Sequence, residues 1–293
     1  MNSSISLWSL TCRAVFAVLL LFHSSIAFAA VTFTHVDSLT PAGGPPVIRN
    51  GHVAIFTSDG GLVAAGQRGL FTWVSGQLTK AMESGLTPIP DGGGATFSLS
   101  DFRGAPAMDG NGDIVFTADL SGIYENSSGT LRVVADTSTT VPGGGALFKR
   151  FWRGSNGEAS ASIDNGKVAF SAEETVPVTT GKQGIYTNLR GNLERVVDSD
   201  TLIPNTLSFF SRFDAQVDLS GDNIAFTGVS GSNDGVYVWN ANTGLSVVAN
   251  VLTPCPSGTG FFGNSFFGVD ILTNGGVVFF HNDSNCAGQG VYT

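Results

Sequence analysis

The chain has 293 residues, of which 13% are charged, and its 14 Lys and Arg stand against 23 Asp and Glu to give a formal net charge of −9. An acidic surface does not neutralise phosphates, which excludes non-specific nucleic-acid binding. The 39 glycines and the frequent β-branched runs favour an all-β fold rich in turns.

Residues 1–29 have the features of a secretory signal peptide. Arg13 is followed by the apolar run Ala14–Phe22, and Ala27–Ala29 offers small residues for cleavage. The run is too short to span a bilayer, although a retained anchor is the alternative. Removal of Arg13 leaves 13 basic against 23 acidic residues, a net charge of −10. We expect a secreted or periplasmic bacterial protein with no membrane span after cleavage.

Two short signatures each recur five times along the chain. The first is a turn followed by a strand that ends in Phe, and the second is Gly, an aliphatic residue and an aromatic residue. A period of 50–60 residues with several short strands per unit is typical of a β-propeller. The first signature ends at Phe56, Phe116, Phe170, Phe226 and Phe279, and the second at Phe71, Tyr124, Tyr186, Tyr237 and Tyr292.

The third repeat shows how one unit is built. A tight turn is predicted at 164–166, because Asn and Gly tolerate positive φ. One strand is predicted on each side of it, a third contains the Gly-Ile-Tyr signature and a fourth follows the next turn, which makes one four-stranded antiparallel blade. The four predicted strands are Ser160–Ile163, Lys167–Ala172, Gln183–Asn188 and Leu193–Val197.

The last repeat lacks a fourth strand, and the amino-terminal segment Val31–Asp37 has the pattern of one. Its sequence VTFTHVD precedes SLTPAGG, as other fourth strands precede their linkers. We therefore predict a five-bladed β-propeller of four-stranded antiparallel blades over residues 30–293, a single domain whose ring is closed by the amino-terminal strand. Such closure hides sheet edges that would otherwise favour aggregation.

The repeated order "DNGKVAF…GIY…LERVV" resembles the unit of TolB-like and WD-repeat-like β-propellers. The turn and the Ala-Phe pair are also similar to bacterial secreted tandem-repeat proteins with an N-x-x-G-x-x-A-F consensus. The resemblance covers nearly all of residues 31–293 and implies the fold, whereas such propellers serve both binding and catalysis. Those tandem-repeat proteins often carry a carboxy-terminal anchor; this sequence shows none, which favours free secretion or a periplasmic location.

The linkers between repeats combine basic and aromatic residues. If first strands line the central channel, the points where linkers enter them surround its mouth. Guanidinium groups beside aromatic rings could bind a carboxylated or sulfated glycan, or a protein of the envelope or extracellular space. In the alternative, the aromatic rings fill gaps between blades and the arginines pair with Asp101 or Asp214. The candidate ligand-binding residues are Arg103, Arg150, Trp152, Arg153, Arg212 and Phe210.

Two cysteines remain after the signal peptide, Cys255 and Cys286. In an oxidising compartment they are candidates for a disulfide. Two cysteines without a nearby His cluster are a poor metal site. We therefore expect no metal site at these cysteines. We also expect no cofactor and a monomeric protein.

Catalytic signatures are sparse, so we expect a non-catalytic binding or scaffold protein. Acidic or amide residues recur at fourth-strand ends, where turn capping explains them. The segment 109–113, DGNGD, resembles the start of a calcium loop but has Ile114 at its sixth position, which favours a plain turn. A carbohydrate-active hydrolase or lyase of propeller fold is the alternative function and would need converging carboxylates. The recurring residues are Asp37, Asp136, Asp198 and Asn250, with Glu83 or Ser84 in the first repeat.

Overall fold

In the computed structural model, the described residues all belong to the unit Ser38–Thr293. The described part of the chain has no helix with the length and apolarity that a bilayer crossing requires. The residues that the structure describes are 46–50, 52–58, 62–74, 76–101, 105–118, 121–151, 161–175, 181–231, 233–256, 260–283, 286 and 288–293.

The described residues form five antiparallel sheets, in which consecutive strands pair as neighbours. This confirms the predicted all-β class and the assignment of one sheet to each repeat. The first sheet contains β1 (Val47–Arg49), β2 (His52–Thr57), β3 (Gly69–Val74) and β4 (Gln77–Glu83). The second contains β5 (Ala107–Met108), β6 (Ile114–Ala118), β7 (Gly122–Ser127) and β8 (Thr130–Asp136).

The third sheet contains β9 (Phe148–Phe151), β10 (Ala161–Asp164), β11 (Lys167–Glu174), β12 (Gln183–Thr187) and β13 (Glu194–Asp198). The fourth contains β14 (Arg212–Ser220), β15 (Asn223–Ser230), β16 (Asn233–Asn240) and β17 (Gly244–Asn250). The fifth contains β18 (Phe266–Ile271), β19 (Val277–Asp283) and β20 (Gly288–Tyr292). A short 3-10 helix, Leu99–Asp101, lies between the first two sheets.

The third sheet differs from the prediction by one strand. β9 pairs with β11 on the same side as β10, so two short strands occupy the place of one inner strand. The sequence prediction treated β9 as part of an irregular linker. The other four strands lie within two residues of their predicted bounds, and Asn165 has the positive φ of 50° that its turn requires.

An aromatic triad recurs in four sheets and accounts for the two sequence signatures. The Phe of the first signature lies opposite the Tyr of the second, with ring planes 18–28° apart. A Phe from the preceding linker meets that Tyr edge to face, with centroids 4.8–5.0 Å apart. These residues are Phe97, Phe210 and Phe262 in linkers, and Phe148, which begins β9.

The glycine two residues before each Tyr leaves room for that aromatic ring. A Cβ at Gly122 would lie 2.7 Å from the Tyr124 ring, and one at Gly184 would lie 2.8 Å from the Tyr186 hydroxyl. Contacts this short do not occur at a real Cβ, so the glycine is required by packing against its own strand's aromatic residue.

The first sheet departs from this scheme by one residue. Ile55, and not Phe56, lies opposite Phe71 in the register of β2 and β3. Phe56 points to the other face and packs edge to face on Phe116 of the second sheet, with centroids 6.2 Å apart. Ile55 is therefore the structural equivalent of the signature Phe in the other sheets, and the sequence alignment of Phe56 with those residues was wrong by one position.

Successive sheets pack through a repeated apolar joint. One residue of the third strand in each sheet belongs to the same core cluster as one residue of the inner strand in the next sheet, and both are buried. The four pairs are Leu70 with Met108, Ile123 with Ile163, Ile185 with Leu219, and Val236 with Ile271. Their exposure ranges from 0 to 7%.

The two remaining halves of this joint are open. Val291 of the fifth sheet is equivalent to Val236 and is 69% exposed, and Ile48 of the first sheet is equivalent to Ile271 and is 67% exposed. The described residues therefore form a propeller-like arrangement of five sheets with one joint not made. The predicted closing strand Val31–Asp37 lies outside the described residues, so ring closure stays a prediction.

Candidate functional site

The first strands of all five sheets line one cavity of about 620 Å³. It extends along these strands to the first hairpin of each sheet. We call the opposite end of the sheets, where the linkers enter, the linker face. Part of the cavity wall is the open apolar face of the fifth sheet, including Phe280 and Val291. The cavity thus continues into the unmade joint.

One register position places side chains of different chemistry in this cavity. It is held by Val47 and Ala107 in the first two sheets, and by Ser162, Asp218 and Asp270 in the last three. The polar half of the cavity wall is therefore built from β10, β14 and β18. Two carboxyl groups from neighbouring sheets meet there.

Asp218 connects three sheets through its carboxyl group. Its Oδ1 accepts a hydrogen bond from the Ser162 hydroxyl at 2.8 Å, and its Oδ2 accepts one from the Ile271 amide at 2.7 Å. Burial raises the pKa of Asp218 to about 6, and a hydrogen bond with the carboxyl group of Asp270 adds to the rise. The Ile271 amide and the Ser162 hydroxyl oppose it by stabilising the charged form.

Two further aspartates at the hairpin end of the cavity are bound to the backbone. Asp164 accepts the Gly221 amide at 2.7 Å, and Asp109 accepts the Gly166 amide at 3.2 Å. Asp109 also accepts the amides of Asn111 and Asp113 within its own turn. These bonds are those of a turn, which supports the turn interpretation of 109–113. Among the described residues no three His, Cys, Asp or Glu side chains are grouped as metal ligands.

Three of the acidic and amide residues at fourth-strand ends, Asp136, Asp198 and Asn250, cap the linkers. Glu83 does not, because its carboxylate accepts the Ala64 amide and Lys80 Nζ, and Asp37 lies outside the described residues. Asp198 Oδ1 accepts the Asp200 amide and the Thr201 hydroxyl, and Asn250 Oδ1 accepts the Leu252 amide at 2.9 Å. Burial alone would raise the pKa of Asp136, but bonds from the residues that follow it hold that pKa below its ordinary value. The recurrence of these residues reflects a shared turn, as predicted for capping.

Arg150 at the linker face is engaged in an ion pair. Its Nε donates to Glu173 Oε2 at 2.5 Å, and Lys149 Nζ donates to the other oxygen of the same carboxylate at 2.8 Å. The Glu173 side chain is 4% exposed, so Lys149 and Arg150 together neutralise a buried carboxylate near the end of β11. Arg150 does not line the cavity described above.

Arg212 is the more accessible of the two described candidate arginines. It begins β14 at the linker face and is exposed. Burial chiefly raises the pKa of Asp234, the positive charge of Arg212 opposes that rise, and the charge of Asp214 adds to it. Arg212 therefore interacts with a neighbouring carboxylate while remaining open to solvent.

Phe210 lies in the core of the fourth sheet. Its ring is 2% exposed and packs on Phe213, Phe226 and Tyr237. Its neighbour Phe209 is 53% exposed and forms an isolated bridge with Leu202. The next linker repeats this pair, with Phe262 buried and Phe261 54% exposed. Of the two Phe residues in each pair, the one that precedes the core residue can reach a ligand.

The other candidate residues, Arg103, Trp152 and Arg153, lie outside the described residues. Cys255 and Cys286 form a disulfide with a Cα–Cα distance of 5.4 Å. It joins the linker before β18 to the connection between β19 and β20. Both cysteines are buried in the core of the fifth sheet.

A protein-family model matches residues 119–292, which is more than half of the chain. The chain belongs to a family of unknown function (DUF7453). No curated protein matches it. The match begins at the second sheet and ends in β20, so it includes both aspartates of the carboxyl pair.

Solved structures with a similar fold include TolB from Acinetobacter baumannii, at 16% identity over 81% of this chain and 50% of that one, with a TM-score of 0.39. A puromycin-hydrolyzing peptidase from Mycobacterium tuberculosis is 11% identical over 81% of this chain and 34% of that one, with a TM-score of 0.38. An alpha-L-arabinofuranosidase from Lactobacillus brevis is 11% identical over 84% and 86%, with a TM-score of 0.32. The chain thus spans half of TolB and about a third of the peptidase. Likeness at this level carries no functional argument.

Sequence reasoning missed Asp218 and Asp270. Both stand in a Val-Asp pair just before the first hairpin of their repeat, VDLSG and VDILTNG, and this shared register was the available signal. It was weak because the same position holds Ser, Ala or Val in the other repeats. Sequence reasoning also chose Phe210 from the Phe209-Phe210 doublet, although the exposed member is Phe209.

Proposed function

We propose that this chain is a secreted or periplasmic, non-catalytic binding protein, built as a five-bladed β-propeller whose ring is closed by Val31–Asp37. Its signal peptide, residues 1–29, is removed on export, and the mature protein is a monomer. The ligand binds at the linker face. We favour an acidic glycan as this ligand and treat a protein partner as the competing outcome.

The observation that carries this proposal is the outward aromatic residue of consecutive linkers beside an accessible arginine. Phe209 and Phe261 are exposed on the linkers to the fourth and fifth sheets, and Arg212 follows Phe209 by three residues. These two linkers are neighbours, since Leu252 of one lies beside Thr206 and Ser208 of the other. Exposed rings can stack on the apolar face of a sugar, and an arginine can bind its carboxylate or sulfate.

An array of acidic and neutral glycans tests this proposal on the native chain. We expect binding to a subset of acidic glycans, with an affinity that falls at least tenfold in the Arg212→Ala and Phe209→Ala variants. Each truncation removes a contact with the ligand while leaving the buried triad intact. The matched control is Arg190→Ala, which removes an exposed arginine at the opposite end of the sheets, where it stacks on Trp239.

Equal glycan binding by native protein and the Arg212→Ala variant would show that the arginine takes no part. Absence of glycan binding, together with Arg212-dependent retention of one envelope or extracellular protein, would replace the glycan by a protein ligand. Thermal unfolding of every variant verifies that lost binding is not lost folding.

A carbohydrate-active hydrolase or lyase is the second candidate function. The observation in its favour is the contact between the carboxyl groups of Asp218 and Asp270 inside a cavity. Acid–base catalysis on a glycosidic bond uses two carboxyl groups, one of which has a raised pKa. We place this function second because Asp218 already accepts hydrogen bonds from Ser162 and Ile271, which assign it a structural role.

A further inference from the structure

The first strands of the third, fourth and fifth sheets are joined by one continuous set of side-chain hydrogen bonds. The Ser162 hydroxyl donates to Asp218 and accepts the Leu219 amide at 3.0 Å. Asp218 accepts the Ile271 amide from β18 and meets the carboxyl group of Asp270. This joint is polar, in contrast to the apolar packing that holds the rest of each sheet pair.

A contact between two carboxyl groups depends on the proton that they share. With one proton the two groups form a hydrogen bond, and with none they repel each other at close range. The charged side chains that line the cavity, among the described residues, are Arg49 from β1, Asp109 after β5, Asp164 from β10, Asp218 from β14 and Asp270 from β18.

Among the described residues, the groups that hydrogen-bond to Asp218 are the Ser162 hydroxyl, the Ile271 amide and Asp270, and none of them is basic. Asp109 and Asp164 are further acids that accept hydrogen bonds from backbone amides, and Asp164 also accepts one from the side-chain amide of Asn165. Arg49 lies on the first strand of the first sheet, whereas the pair is on β14 and β18. The proton count of the pair therefore sets the repulsion at this joint.

We propose that Ser162, Asp218 and Asp270 form a proton-controlled joint, which holds the fourth and fifth sheets together in mildly acidic solution and loosens at neutral pH, so that the cavity widens. The inference concerns the cavity and not the glycan contact at the linker face, so it stands or falls separately from the proposed ligand.

The direction of the effect follows from the raised pKa of Asp218, which is about 6 because of burial and the contact with Asp270. In the unfolded chain an aspartate has a pKa of about 3.9. Stability from this group is therefore complete below about pH 4 and is lost as the pH rises through about 6. The difference of about two pKa units corresponds to roughly a hundredfold change in the folding equilibrium constant.

Hydrogen–deuterium exchange at single amides tests the joint in the native chain. The Ile271 amide is bound to Asp218, and the Gly221 amide is bound to Asp164, a cavity aspartate with no carboxyl partner in its hydrogen bonds. After correction for intrinsic exchange, we expect protection of Ile271 to fall at least tenfold between pH 4.5 and pH 7.5. Protection of Gly221 should stay within about twofold, which makes it an internal control.

Two variants extend the test to global unfolding by urea. Asp218→Asn keeps an acceptor for Ile271 and a donor for Asp270 but cannot ionise. We therefore expect this variant to lose the roughly hundredfold decrease in the folding equilibrium constant that the native chain shows as the pH rises. Asp164→Asn is the matched control and should keep the native dependence. Equal protection of Ile271 at both pH values, or an unchanged pH profile in Asp218→Asn, would overturn the proposal. If Asp218→Asn does not fold, the amide comparison in the native chain decides alone.

Discussion

Phe209 and Phe210 are adjacent in sequence and opposite in environment. The Phe210 ring completes an aromatic cluster with Phe226 and Tyr237, whereas half of Phe209 faces solvent. The difference arises because successive side chains of extended backbone point to opposite sides. A linker that returns to a sheet must bury one of them, and the isolated bridge between Leu202 and Phe209 fixes which one.

This pair allows a prediction with a built-in control. Phe210→Ala should lower the free energy of unfolding by about 3–5 kcal/mol, because it removes a buried ring and leaves a cavity beside Tyr237. Phe209→Ala should lower it by less than about 1 kcal/mol, since a half-exposed surface ring has little packing to lose. Urea denaturation followed by fluorescence measures both. Similar losses in the two variants would contradict the assignment of the inward and outward rings.

At the scale of elements, the strands were predictable where the repeat is regular. β11 begins at Lys167 and β12 at Gln183, as the sequence indicates, because a tight turn and the Gly-x-Tyr signature fix them locally. The strand β9 was missed since its pairing with β11 is non-local. β9 and β10 together occupy the place that β14 alone takes in the fourth sheet, where a bulge follows Phe213.

The candidate site was less predictable than the sheets for a physical reason. The capping role of Asp198 depends on residues within three positions, so sequence reasoning could infer it. The contact between Asp218 and Asp270 depends on two strands 52 residues apart that reach the same register in neighbouring sheets. The ion pair that engages Arg150, but not Arg212, likewise depends on Glu173, a residue of a different strand.

At the scale of the whole molecule, the open joint is the feature that bears on ring closure. Four joints bury an aliphatic pair, and Ile48 and Val291 are the exposed halves of a fifth. Full burial of such side chains contributes about 1.5–3 kcal/mol each. A ring closed by Val31–Asp37 would add a strand beside β20 and bring the fifth sheet towards the first, which is the arrangement we propose for the folded protein.

Cysteine cross-linking tests this closure. In a Cys12→Ser background, the Ile48→Cys, Val291→Cys double variant should form an intrachain disulfide under mild oxidation, because closure would bring these positions together as at the other joints. Faster migration in a non-reducing gel after denaturation detects it. The control pairs Ile48→Cys with Leu252→Cys, an exposed linker position that closure does not bring near β1. Free thiols at both 48 and 291 in a monomer, measured by maleimide labelling and light scattering, would show that the ring stays open. Protection that appears only with dimerisation would instead show that a second copy covers the joint.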